Sequence, residues 1–211
     1  MKSTEILKEK KDGTWKVTKG PDLPKPLFGH CVEILQGGNV LLSGGFDGED
    51  QSDITAEFHW KENPPHLTGK WSIRSPMKSH RYDHGCYSHK GTIHVTGGWK
   101  ANITPKLKTE RYNETTRKWE DAKMEMDNGL PDILRSFTVG ISDGKLALIG
   151  GVRFEVRSDL PNGKKATKHS EVYELGSLGW EKSANHVQIP RSSHVGINVP
   201  ASIDYSCEIS P

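Results

Sequence analysis

The chain has 211 residues, of which 33% are hydrophobic, and a mean hydropathy of −0.68. Its 22 Gly, 12 Pro and 6 Trp suit a turn-rich β protein. The 29 Lys and Arg nearly balance 27 Asp and Glu, so no charge surplus draws nucleic acid or an anionic membrane, and no apolar stretch nears the ~20 residues of a membrane helix.

Residues 1–14 mix both signs of charge and read as a polar lead-in, with no apolar run after Met1 to make a signal peptide. Trp15 opens "WKVT", which has the form of an orphan fourth strand. A repeat follows. "NVLLSGG" at 39–45, "TIHVTGG" at 92–98 and "KLALIGG" at 145–151 each run a short apolar strand into a glycine pair. The pairs begin at Gly44, Gly97 and Gly150, 53 residues apart in both cases. Self-similarity near ~50 residues is the mark of a propeller or other repeat array.

Within each unit, a strand and a tight turn precede that run: "HCVEIL", "HGCYS" and "FTVGI". Gly38, Gly91 and Gly144 fall six residues before the pairs, where a short hairpin calls for positive φ. Downstream, Glu-x-aromatic recurs as "ERY" at 110–112 and "EVY" at 171–173, with "EFH" at 57–59 as a weaker match. Tyr112 and Tyr173 each precede a Trp by seven residues, Trp119 and Trp180; in the first unit an insertion separates "EFH" from Trp71. Four strands per unit, at this period, predict all-β propeller blades.

The glycine pairs, the Tyr and the later Trp resemble Kelch repeats, as does the Arg-x-x-His of "RYDH" at 81–84 and "RSSH" at 191–194. The resemblance covers residues 15–199, with blades at about 27–74, 81–122 and 135–183, a partial blade from 191 and a tail at 200–211. It implies a Kelch-type β-propeller of four-stranded antiparallel sheets whose usual role is gripping another protein. Both ends stop in mid-repeat, so an incomplete propeller is expected, with open blade faces that favour self-association or a longer parent protein.

Antiparallel blades send the loop after each glycine pair and the linker between blades to one face. The candidate binding residues there are Phe46, Arg81, Trp99, Arg153, Phe154 and Arg157, types that dominate binding hot spots. The basic third loop favours an acidic peptide. No catalytic motif or zinc-type ligand spacing is present, and His84 belongs to the repeat, so neither metal, cofactor nor catalysis is expected. The alternative is a piece of a Kelch-like enzyme, of the oxidase or sugar-epimerase type. Cys31, Cys86 and Cys207 make no even framework and read as thiols in a reducing cytoplasm. Two glycosylation sequons, at Asn102 and Asn113, would matter on a secreted chain.

Overall fold

The computed structural model describes residues 2–63, 66–100, 107–122, 130, 132–142, 145–156, 159, 164–177 and 179–194. Among them all regular structure is β. The lead-in folds as a hairpin of β1 (Glu5–Glu9) and β2 (Trp15–Lys19), with Trp15 opposite Glu9 and 59% exposed. Trp15 therefore packs into no blade, and the orphan fourth strand is one arm of a solvated hairpin.

Three four-stranded antiparallel sheets follow. The first is β3 (Cys31–Ile34), β4 (Val40–Ser43), β5 (Thr55–Asn63) and β6 (His66–Ile73). The second is β7 (Gly85–His89), β8 (Thr92–Thr96), β9 (Glu110–Asn113) and β10 (Lys118–Asp121). In the third repeat β11 (Ile133–Arg135) comes first, then β12 (Thr138–Ser142) and β13 (Lys145–Ile149). β14 (Val152–Val156) and β15 (Lys164–Lys168) precede β16 (Glu171–Gly176) and β17 (Gly179–His186). Strands β12, β13, β16 and β17 make the third blade, whereas β11, β14 and β15 form a separate three-stranded sheet. The two ends of the long third loop are thus paired strands. The first-blade insertion likewise lengthens β5 and β6, paired as far as Asn63 and His66.

The blades stack face to face, so second strands are buried on both sides. Neighbours Leu41 and Leu42 point to opposite faces, yet are 2% and 1% exposed. Leu41 joins Leu35, Met77, Ile93, Val95, Tyr112 and Trp119 between the first two blades. Tyr87, Phe137, Leu148, Tyr173 and Trp180 fill the joint between the second and third. Polar ties cross the first joint as well: Tyr112 donates its hydroxyl to Glu57 at 2.8 Å, and Trp119 Nε1 donates to Thr55 Oγ1 at 2.7 Å.

Strand register corrects the weakest repeat match. Phe58 lies opposite Trp71, as Tyr112 lies opposite Trp119, so the frame is Ala56-Glu57-Phe58 and not Glu57-Phe58-His59. A one-residue slip in a strand turns each side chain to the other face, and Glu57 consequently meets the second blade. In the third blade Leu175, not Tyr173, faces Trp180. That slide is of two residues, which keeps Tyr173 on its original face.

The glycine pairs share one conformation, with φ of 62° and 108° at Gly44 and Gly45, 61° and 92° at Gly97 and Gly98, and 62° and 110° at Gly150 and Gly151. The next repeat's linker lies against them: a Cβ on Gly44 would come within 2.5 Å of the Arg81 carbonyl oxygen. The linkers form a ladder of their own. Asp83 N–H donates to the Gly29 carbonyl, Ser136 N–H to Asp83 and Ser193 N–H to Ser136, at 2.7, 2.8 and 2.8 Å. All four residues have φ between 54° and 61°.

Cys31 and Cys86 are not free thiols: a disulfide joins them, with Cα atoms 6.0 Å apart. Aligned on His30 and His84, Cys31 stands one position ahead of Cys86. Successive strand residues face opposite ways, so Cys31 on β3 looks forward to the second blade and Cys86 on β7 looks back. Cys207, residues 195–211 with the predicted "HVGINV" strand, Gly144, Arg157 and Asn102 lie outside the described residues.

Candidate functional site

At one end of the blades, linkers pair with the loops after the glycine pairs. Phe28 bridges Phe46, Tyr82 bridges Trp99, and Ile133 to Arg135 pair with Val152 to Phe154 on β14. Phe28, Tyr82 and Arg135 share one repeat position, two residues before His30, His84 and Phe137. Phe46, Trp99 and Val152 share another, two residues after the first glycine of each pair. The repeat itself therefore lines up the side chains.

The result is an aromatic row. The Phe28 ring centroid is 5.2 Å from Phe46 and 6.2 Å from Tyr82, and Phe46 is 5.5 Å from Tyr82. Trp99 and Phe154 meet at 4.3 Å. Arg135 joins the two groups, its guanidinium carbon 5.6 Å from the Tyr82 ring, 5.7 Å from Trp99 and 5.2 Å from Phe154. It also donates to the Tyr82 hydroxyl at 2.9 Å, with Asp83 Oδ2 at 3.4 Å. Arginine over aromatic faces is held by cation–π attraction while still offering N–H groups outward. Phe28 is 55% exposed, and the other members are half-buried.

Of the residues singled out from the sequence, Phe46, Trp99 and Phe154 come together in this row. Arg153 alternates away from Phe154 and pairs with Glu171 at 3.4 Å and Glu155 at 3.2 Å. Arg81 is corrected. It is 0% exposed and donates to the Gly97 and Lys108 carbonyls, at 3.0 and 2.9 Å, and to Glu110 at 2.6 Å. Glu110 in turn accepts the backbone N–H groups of Lys78 and Ser79. Arg81 is a strut beneath the face, out of a partner's reach. The residues that sequence reasoning missed are Phe28, Tyr82 and Arg135; their shared repeat position was the available signal.

The acidic first loop is also internally committed. Asp47 accepts the N–H of Asp50 at 2.8 Å, the Lys25 ammonium at 3.0 Å and the N–H of Glu49 at 3.0 Å, and these bonds hold its carboxyl well below the usual range. Beneath the face His84 is buried, with Nε2 3.2 Å from Ser43 Oγ, and burial pushes its pKa down. His94 stacks on Tyr87 with ring centroids 5.4 Å apart, and its Nδ1 lies 3.0 Å from the Thr92 carbonyl. Burial lowers its pKa from 6.5 to about 4.

That shift has a definite pH consequence. The unfolded chain binds the His94 proton below pH 6.5 while the folded chain refuses it until about pH 4, so stability falls as pH drops through that window. From pH 8 to pH 5 this one group removes roughly 2 kcal/mol. Glu57 acts in the same direction: burial raises its pKa, but the Arg74 and Tyr112 donors outweigh burial and leave it lowered. Urea unfolding across pH 5–8 should show the slope, and His94→Gln should make it shallower above pH 5, the buried His84 supplying part of the remainder. An equal slope in the variant would remove His94 as its source.

No family model matches the chain. It is 27% identical over 191 residues to an F-box/kelch-repeat protein of Arabidopsis thaliana, a match covering 87% of this chain and 42% of that relative. The chain thus spans less than half the length of the curated relative it matches. The solved structure of YjhT superposes with a TM-score of 0.54 at 16% identity, covering 92% of this chain and 80% of that one. Sequence step, blade stacking and both likenesses agree on a β-propeller fold of blades that resemble Kelch repeats.

Proposed function

We propose that this chain is a protein-binding module that catalyses no reaction of its own and grips its partner on the aromatic row. The observation that carries the reading is the continuity of Phe28, Phe46, Tyr82, Arg135, Trp99 and Phe154 across three repeats. Aromatic and Arg side chains concentrate binding energy because they bury much surface at low entropic cost. Lys165 and Lys168 are exposed on β15, the strand paired with β14 and hence with Phe154, and favour an acidic partner segment there.

The test begins by recovering the partner with the wild-type chain and then measuring its affinity for variants. Phe28→Ala should weaken binding about tenfold or more, a hot-spot effect. Its melt should stay within about 0.5 kcal/mol of wild type, because the ring is largely exposed. Trp99→Ala should also weaken binding, whereas Lys118→Ala, on the outermost strand of the second blade, should not. Unchanged affinity in both aromatic variants would move the binding surface elsewhere.

A further inference from the structure

We propose that Asn113 carries an N-linked glycan and that the chain matures in an oxidising compartment. Two unrelated observations lead there. Asn113-Glu114-Thr115 has the acceptor pattern and lies at the turn from β9 to β10, where Thr115, Thr116 and Arg117 are exposed. Arg117 N–H closes the turn on the Asn113 carbonyl at 2.7 Å. Asn113 Oδ1 accepts the N–H groups of Thr115 and Thr116, and Nδ2 gives one hydrogen to Glu120 Oε1 at 3.0 Å.

The second Nδ2 hydrogen is the one that transfer replaces. A bond forms between Nδ2 and the anomeric carbon of a lipid-linked oligosaccharyl diphosphate. The carbon–oxygen bond to phosphate breaks, the lipid diphosphate leaves with the bonding electrons, and the amide proton goes to base. The Glu120 hydrogen bond can persist through that exchange.

The disulfide between Cys31 and Cys86 supplies the compartment. Two thiols close it by giving up two protons and two electrons to an oxidised dithiol carrier, which is reduced in exchange. Such cross-links form and persist along the secretory route and are rare in the cytosol. The same route holds the glycosyl donor.

Strand direction decides where the sugar goes. The β9–β10 turn lies at the same end as the β3–β4 and β7–β8 turns: Gln36 Nε2 donates to the Gly91 carbonyl at 2.8 Å, and Gln36 N–H to Glu114 at 3.3 Å. The aromatic row is at the opposite end. A glycan at Asn113 therefore leaves that row open while covering the far end of the blades.

Peptide mapping of the chain from its source organism, with thiols blocked at lysis and no reductant, tests both halves. The Cys31 and Cys86 peptides should migrate as one linked species until reduced, and enzymatic deglycosylation should convert Asn113 to Asp. Asn113 recovered as unmodified Asn would overturn the proposal, as would sugar at Asn102 alone or free thiols at both cysteines. In secreting animal cells, Asn113→Gln should lose a gel shift that Asn102→Gln leaves in part. An unaltered shift in Asn113→Gln counts against it equally.

Discussion

Replacing Arg81 with methionine will destabilise the fold by about 3–5 kcal/mol, the usual loss when one member of a buried ion pair is removed. Methionine fills much of the space but leaves the Glu110 carboxylate, 1% exposed, without its cation. It also strips the Gly97 and Lys108 carbonyls of their donor. Arg81→Lys should fall between, because an ammonium supplies the charge but not the planar fork that reaches three acceptors. Adding Glu110→Gln to Arg81→Met removes the stranded charge, so the double variant should be less unstable than the single losses sum to. Urea unfolding of five proteins measures this: wild type, Arg81→Met, Arg81→Lys, Glu110→Gln and the double variant. A loss under about 0.5 kcal/mol for Arg81→Met, the range of surface changes, would show that Arg81 is no strut.

Removing the cross-link will cost a similar amount by a different physical route. Cys31 and Cys86 are 55 residues apart in the chain, and closing a loop of that length restricts the unfolded ensemble by about 4 kcal/mol. Cys31→Ser and Cys86→Ser should therefore melt well below the oxidised wild type and be insensitive to reductant. The reduced wild type should fall to join them. If oxidised and reduced wild type melt together, the bridge contributes nothing to stability. The Arg81 and cysteine losses should be roughly additive, since one acts on the folded state and the other on the unfolded.

What the sequence disclosed follows from what repeats. Gly44, Gly97 and Gly150 recur because a backbone requirement recurs, and three equal steps made the blades legible. The failures have equally physical causes. "EFH" was read one residue out of frame because a Glu stands beside Phe58 in the first blade, and only strand pairing reveals which face it takes. Arg81 looks like a contact by its residue type, but its repeat position is buried in each of the three blades, where Leu27 and Leu134 stand in the first and third. The cysteine pair was hidden by an odd count. Their one-position offset between adjacent blades carried the answer, because period-two strands make such residues face each other. The β14–β15 hairpin was hidden by the polar composition of β15, whose residues 165–168 are exposed. "WKVT" at Trp15 has the form of a fourth strand but no first three before it, and its partner is instead the local strand β1.

The linker ladder from Gly29 through Asp83 and Ser136 to Ser193 makes the molecule polar around its axis, as a helix is polar along its own. Each rung gives an N–H back to the preceding repeat, so each repeat is defined by what it offers at two ends. Any segment that continues the arc beyond Ser193 must present an N–H to that carbonyl, whatever its side chains. Whole repeats can be gained or lost by this rule without disturbing the remaining rungs. Insertion or deletion of one residue in a linker breaks the phase for everything beyond it. The unit in which such a protein can lengthen or shorten is therefore the blade.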